Sequence, residues 1–473
     1  MRVVKNYLYN AFYQVFILII PLITTPYLSR VLGPTGVGIN SYTNSIIQYF
    51  ILFGSIGVNL YGNRQVAFVR RDRDKLTATF YEIFFMRVGT IALAYVAFLL
   101  FLAVTNRYQT YYLAQSLSVI AAAFDISWFF MGMENFAVTV LRNFVVKLIT
   151  LVSIFTLVKS EADLTTYILI LSLSLLLGNL TLFPSLHRYI GKLQWQKLRI
   201  WRHFKPSVVL FIPQIATQIY LVVNKTMLGS MVSVQAAGYF DQSDKMIKMV
   251  LAIVTATGTV MLPHVANAFA NGEEEKTREF LYKSFSFVTA LSVPMMFGLM
   301  AVTRKFVPLF FSTKFQAVVP LMMVEAVVIL LIAWSNAIGT QFLLPTKQVR
   351  AYTMSVVLGA VVNIVMNIPL IILWGAMGTA IATVLSELTV TGYQLYAIRL
   401  QVDYKKIFLD TGKYFFAGVL MFIGVSILDN MTMSNWIMLV VEVGLGILVY
   451  LIILIILKAS VISELQKLVK KNH

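Results

Sequence analysis

The chain has 473 residues, of which 59% are hydrophobic and 12% charged, whereas an ordinary soluble domain carries about half apolar and about a quarter charged residues. That excess excludes a single water-soluble core, and the apolar stretches recur along the whole length with no long polar block between them. The formal charge of +18 could suit a nucleic-acid surface, but such a surface needs a water-facing fold for which this chain has no room, so no nucleic-acid partner is expected. Cysteine is absent, which removes disulfide and thiolate chemistry. His187, His203, His264 and His473 share no metal-ligand spacing; they read as loop or interface residues, and neither a metal nor a cofactor is expected.

The N-terminal MRVVK resembles the charged start of a signal peptide, yet the apolar run continues through Pro21 and Pro26 to Tyr27 without a small-x-small cleavage site. It reads as a retained first helix. A bilayer core takes about 20 mostly apolar residues per helix, and the pattern predicts spans near 7–29, 38–61, 79–105, 110–130, 136–158, 165–187 and 206–229. Seven more fall near 239–262, 280–302, 317–341, 351–372, 376–397, 411–428 and 435–458, fourteen in all. With the N-terminus inside, and residues at span ends counted with the loops, 25 Lys and Arg lie in inner segments and 6 in outer ones, the latter being Arg30, Arg107, Lys159, Arg304, Lys305 and Lys314. That imbalance orients both ends toward the cytoplasm. The inner loops 63–75 and 187–205 carry most of it, and their charges could also meet anionic headgroups.

Two stretches resemble one another: RVLGPTGVGINSYTNSIIQ (30–48) and KTMLGSMVSVQAAGYFDQSDKMIK (225–248). Setting Gly38 on Gly238 aligns Ser41 with Asp241, Asn44 with Asp244, Ser45 with Lys245 and Gln48 with Lys248. Helices one and two then correspond to seven and eight. The reading is an all-α polytopic membrane protein of two parallel six-helix repeats around a central cavity, plus two C-terminal helices, an architecture of transporters. Its parts are an N-terminal half (1–187), a basic cytoplasmic linker (188–205), a C-terminal half (206–398), helices thirteen and fourteen (411–458) and a basic tail (459–473).

At about 100° per residue, Asp241, Asp244, Lys245 and Lys248 share one arc of their helix, as do Ser41, Asn44, Ser45 and Gln48 on theirs. Both arcs could face the cavity, or the charges could neutralise each other locally as i, i+4 pairs that glue the helices. Arg87, Arg142, Lys147 and Lys225 are further cations within spans. Each costs about 2.5 to 3.5 kcal/mol at a helix centre, and Lys225 and Arg142 could snorkel outward. Together with Arg30 at the outer end of helix one, these form the candidate substrate-binding set. Asp125, Glu325, Glu387 and Glu442 could pair with the cations or, for the first three above all, carry a coupling ion. Pro21, Pro26, Pro206, Pro213 and Pro294 mark places where helices bend, as static kinks or as hinges.

No nucleotide-binding G-x-x-x-x-G-K-[ST] loop occurs, and no nucleophile–base arrangement stands on a soluble site; a lipid-linked sugar transferase would need catalytic groups on a large outer loop, and the outer loops are short. The reading is a transporter and not an enzyme.

The segments IIPLITTPYLSRVLGPTGVG, SIGVNLYGNRQVA, VVNKTMLGSMVSVQAAGYFDQSDKMIKMV and TVMLPHVANAF together resemble the Wzx-type polysaccharide flippases of the multidrug/oligosaccharidyl-lipid/polysaccharide (MOP) exporter superfamily, over essentially the whole chain. Two positions depart from the pattern: Asn224 stands where an acidic residue is expected before Lys225, and His264 where an arginine is usual. The resemblance implies movement of undecaprenyl-pyrophosphate-linked oligosaccharide units from the inner to the outer leaflet of a bacterial inner membrane, by alternating access, for exo- or capsular polysaccharide. It also implies a polyprenyl-pyrophosphate-linked glycan as ligand, with a polysaccharide polymerase and glycosyltransferases as partners. A cation-coupled multidrug exporter of the same fold, or a non-transporting scaffold of a glycan-synthesis complex, are the alternatives.

Overall fold

Inside hydrocarbon a backbone must satisfy its own hydrogen bonds, which leaves helices as the default for a chain this apolar. The computed structural model describes residues 2–431 and 435–463, and all its regular elements there are helical. Most of the basic tail expected over 459–473 lies outside the described residues. Contacts divide the chain into two compact units, Met1–Gly238 and Tyr239–His473.

The first unit contains α1 (Arg2–Ser55), α2 (Val58–Val69), α3 (Arg73–Val104), α4 (Gln109–Ala123), α5 (Ser127–Gly132), α6 (Phe136–Leu157), α7 (Leu164–Leu180), α8 (Phe183–Leu186) and α9 (Phe204–Met231), and ends within the first turns of α10 (Val234–Ala270). The remainder of α10 opens the second unit. There follow α11 (Glu274–Phe310), α12 (Val318–Glu325), α13 (Val327–Ser335), a π-helical stretch Asn336–Leu343, α14 (Val349–Trp374), α15 (Ala376–Ile398), α16 (Tyr404–Ile407), α17 (Thr411–Met431) and α18 (Trp436–Ile456).

The first two expected spans are one uninterrupted helical run broken at a single residue. Gly33 takes φ 63° and ψ 179°, a region open to glycine alone. Pro34 follows, its fixed φ suited to a first helical position. Pro21 and Pro26 lie inside α1 with helical backbone angles around them. Among the described residues ten helices are long and apolar enough to cross a membrane, or eleven if the bent pair Val234–Ala256 and Met261–Ala270 counts. The expected count of fourteen is therefore not reached by that measure. Part of the difference is the run Ile19–Val69, which counts once; part is α15, whose threonines, Ser386 and Glu387 dilute its apolarity. The outer faces carry what lipid requires: Leu93, Leu100 and Val104 of α3, and Ile437 and Ile456 of α18, are largely exposed.

Between helices in lipid there is little hydrophobic drive, so close approach of small residues holds them together. Gly62 of α2 faces the Trp128 ring, and Gly132 of α5 faces the Asn63 carbonyl and Val66. Around them Phe80, Trp128, Phe129 and Phe130 form an aromatic core, with Phe80 and Trp128 stacked at 5.8 Å. Gly38 and Gly238, set in register by the repeat, meet directly: a Cβ on Gly238 would stand 2.7 Å from the Gly38 Cα. Three residues earlier on each segment, Gln235 Nε2 donates to Thr35 Oγ1 at 3.1 Å. In the second unit α11, α13, α17 and α18 share a core that includes Phe285, Ala333, Tyr414 and Tyr450.

The basic linker is anchored rather than loose. Glu82 of α3, buried, accepts the Arg199 backbone N–H at 2.6 Å and the Arg202 guanidinium at 2.6 Å, and lies 2.7 Å from His203 Nε2. His203 Nδ1 is 2.7 Å from the Tyr61 hydroxyl. Burial pushes the imidazole below its ordinary value despite the attraction of Glu82. The neutral tautomer that serves both contacts carries its proton on Nε2, donates to Glu82 and accepts from Tyr61.

Lys305 corrects an expectation. Counted among outer-loop cations, it instead lies 5% exposed inside α11 and pairs with Glu442 of α18. The net hydropathy of 280–302 hid it, because the helix continues well past the apolar window. Removing one member of such a pair leaves the other charged and buried, at a cost of about 3–5 kcal/mol. Lys305→Met should therefore lower the thermal midpoint in detergent sharply, and Lys305→Met/Glu442→Met should recover most of the loss. Gly38→Leu or Gly238→Leu should cost about 1–3 kcal/mol by overpacking, while Gly89→Leu, where a Cβ meets nothing within 4 Å, should leave the same melting curve nearly unmoved.

Candidate functional site: a polar cavity in the first unit

Polar residues in the first unit converge on two connected lobes stacked along the helices. The first, about 620 Å³, is lined by Gln48, Ser55 and Asn59 of α1 and α2, Arg87 of α3, Ser118 of α4, Asp125 and Ser127 beside α5, Arg142 and Asn143 of α6, and Asn179 of α7. The second, about 290 Å³, takes Asn40, Asn44 and Gln48 of α1, Gln115 and Ser118 of α4, Asn143, Lys147 and Thr150 of α6, and Ser172 and Ser174 of α7. Gln48, Ser118, Arg142 and Asn143 belong to both. From Asn40 to Ser55 the lining of α1 covers 15 residues, about 22 Å along a helix. A cavity of this length spans much of a bilayer core.

Arg87 is 2% exposed and fully engaged. Its Nε donates to the Ala122 carbonyl at 2.6 Å, one terminal nitrogen to Asn59 Oδ1 at 2.6 Å, and the other lies 3.4 Å from Asp125 Oδ2. The Ala122 carbonyl, at the end of α4, also takes the Asp125 N–H at 3.4 Å, and Asp125 sits in the break before α5, where it accepts the Ser127 N–H at 3.0 Å. Arg142 donates to Asn179 Oδ1 at 3.1 Å, and Asn179 in turn donates to the Ala121 carbonyl at 2.7 Å. Lys147, three turns along α6, presents its ammonium to the second lobe with no hydrogen-bond or ion-pair partner among the described residues. No carboxylate lines that lobe. Asp125 offsets Arg87 in the first, so the cavity as a whole keeps a positive balance.

The expected α1 stripe divides. Asn44 and Gln48 line the cavity, with Gln48 Nε2 3.5 Å from Asn44 Oδ1. Ser41 and Ser45 are buried in packing instead, Ser45 at 2.8 Å from Thr226 of α9. Four residues turn a helix by about 400°, but positions 41 and 44 lie about 60° apart, and Gly229 lets α9 press its backbone onto Tyr42 on that side. Arg30 is exposed and donates to the Pro26 carbonyl at 3.0 Å. Lys225, half-buried on α9, is not among the residues that line either lobe.

In the second unit the α10 charges form the local pairs that their spacing allows: Lys245–Asp241 at 2.5 Å and Lys248–Asp244 at 2.6 Å. Glu325 of α12 is buried beside Asp244 and Ser243. Glu387 is buried on α15. Of the three acids considered for ion coupling, Asp125 is thus held by Arg87, whereas Glu325 and Glu387 lie in the other unit.

Sequence reasoning passed over Asn40, Asn59, Gln115, Asn143 and Asn179. Their signal was present, since a carboxamide within an apolar span needs a partner just as a charge does, but charge drew the attention. These residues make the cavity able to bond hydroxyl-rich groups as well as anions.

Residues 3–269, more than half of the chain, match the family described as "Polysaccharide biosynthesis protein". The chain belongs to that family. It is 22% identical over 401 residues to the "Putative O-antigen transporter" of Escherichia coli (strain K12), covering 84% of this chain and 96% of that one. Over 125 residues it is 32% identical to the "Lipopolysaccharide biosynthesis protein WzxC" of the same strain, 26% of this chain and 24% of the relative. Its fold resembles that of the structure of "Lipid II flippase MurJ, inward closed conformation", which superposes with a TM-score of 0.77 at 16% identity, covering 96% of this chain and all of that one. An inward-facing multidrug resistance MATE family transporter of the MOP superfamily superposes at 0.56 with 10% identity, covering 81% and 98%. These findings agree with the resemblance carried by the repeat segments.

Since the natural chain has no cysteine, single thiols report exposure cleanly. Asn44→Cys and Gln48→Cys should react with a membrane-impermeant methanethiosulfonate, while Ser45→Cys, 1% exposed, should react at least tenfold more slowly in the same preparation.

Proposed function

We propose that the protein moves polyprenyl-diphosphate-linked oligosaccharide units from the inner to the outer leaflet of a bacterial inner membrane, for surface polysaccharide synthesis. The observation that carries this reading is a cavity at membrane depth, in a member of a polysaccharide biosynthesis family, lined by Arg87, Arg142 and Lys147 with Asp125 as the one acid. Diphosphate cannot cross hydrocarbon unaided, and guanidinium and ammonium groups offer it short charge-assisted hydrogen bonds. Carboxamides and hydroxyls beside them suit sugars. The polyprenyl chain needs no cavity, since lipid is already its solvent.

Transport follows alternating access, with the cavity open to one leaflet at a time. The excess of Lys and Arg in the inner segments supports a reading with both ends in the cytoplasm. A polymerase on the outer face and glycosyltransferases on the inner face are the partners this role requires. Export of cationic drugs calls for the opposite electrostatics, a net acidic cavity, and the lining described here disfavours it.

Depletion of the protein should strand lipid-linked glycan in the cytoplasmic leaflet, detected by its protection from an external glycosidase; normal surface display without the protein would sink the proposal. Arg142→Gln/Lys147→Gln should lower transport at least tenfold while the variant still elutes as a monodisperse peak. A scaffold would tolerate the exchange.

A further inference from the structure

The two lobes differ in a way the proposed function does not require. The first holds Arg87 and the one carboxylate, Asp125, while the second holds no carboxylate and adds to the shared Gln48, Asn143 and Arg142 three further carboxamides, Asn40, Asn44 and Gln115, and a cation of its own, Lys147. Gln115 is 3% exposed, spends its amide on Asn40 Oδ1 at 3.2 Å and leaves its own Oε1 with no partner among the described residues. A buried acceptor without a donor is costly in a site meant to stay empty, and hydroxyl groups supply such donors.

Arg142 and Lys147 lie five residues apart on α6, about 7.5 Å along its axis. A diphosphate held at Arg87 and Arg142 would therefore place the sugar attached to it among the carboxamides, on the Lys147 side of the cavity. An ammonium that lines a cavity beside a sugar finds its strongest partner in an anion on that sugar, since intramembrane charge is kept where it is used. We propose that the second lobe is the subsite for the sugar linked to the diphosphate, and that Lys147 recognises an acidic substituent on it, a carboxylate of the uronic-acid kind. The inference rests on the reading of the protein as a diphospholipid-glycan flippase. The carboxamides read the ring hydroxyls, while Lys147 sets the preference for an acidic over a neutral ring.

The test uses the full-length protein in detergent and three probes: farnesyl diphosphate, farnesyl-diphospho-glucose and farnesyl-diphospho-glucuronate, titrated calorimetrically at one ionic strength. The glucuronate probe should bind roughly tenfold tighter than the glucose probe, and the sugar-free probe weakest. In Lys147→Gln the ratio of glucuronate to glucose affinity should fall to about one, in Lys147→Arg it should persist, and Arg142→Gln should weaken all three probes together. If Lys147→Gln weakens all three alike, Lys147 is a phosphate ligand and the subsite assignment is wrong. Equal binding of glucose and glucuronate probes to the natural protein also overturns it while leaving the flippase reading standing. Failure of every diphosphate probe to bind overturns both.

Discussion

An ionised side chain at the depth of hydrocarbon must find a partner, a route to the interface or a wet cavity, and that constraint organises this structure. Several charges among the described residues show these solutions. Lys305 and Glu442 neutralise each other where α11 meets α18. The α10 acids pair one turn along their own helix. Arg87 takes a helix-terminal carbonyl, an asparagine and an aspartate. Lys147 has no ion pair or hydrogen bond among the described residues and lines the cavity, which is why that cavity carries the functional reading.

The same constraint acts on neutral polar groups and on the backbone. At the break between α4 and α5 the Ala121 and Ala122 carbonyls keep backbone donors at 3.2 and 3.4 Å and accept from Asn179 and Arg87 as well. A discontinuity in a helix at membrane depth is tolerated where it borders protein or a cavity, so the break is also the feature that positions two of the cavity residues. Glycines complete the arrangement. Gly38, Gly62, Gly132 and Gly229 let helices approach until side chains at neighbouring positions are sealed from the cavity or committed to it.

Much of this was legible in the residues. Hydropathy alone identified a helical membrane protein, and the placement of Arg87, Arg142 and Lys147 within spans pointed to the cavity that the structure forms. The i, i+4 spacing of Asp241 with Lys245 and of Asp244 with Lys248 announced the pairs observed, because a local pair needs no tertiary information. Lys305 was misplaced because an apolar window marks where a helix is most lipid-like, not where it ends. The α1 stripe was misjudged for another reason. Helical period tells which residues share an arc, but Ser45 meets Thr226 of α9 and Ser41 is buried, while Asn44 and Gln48 line the cavity with residues of α4 and α6, and only the neighbours decide which part of an arc stays open.

By itself, then, the sequence determined the class of fold and the ion pairs made within one helix, since these depend on composition and on a period of 3.6 residues. The tertiary structure decided which helices share a space. That choice turned Gln115, Asn143 and Asn179 from unremarked polar residues into the wall of a cavity, joined Lys305 to Glu442 across 137 positions, and left Lys147 facing a cavity instead of a partner. The reason is physical: a side chain's cost is set by what surrounds it in three dimensions, and in a helical membrane protein those surroundings come mostly from helices distant in the chain.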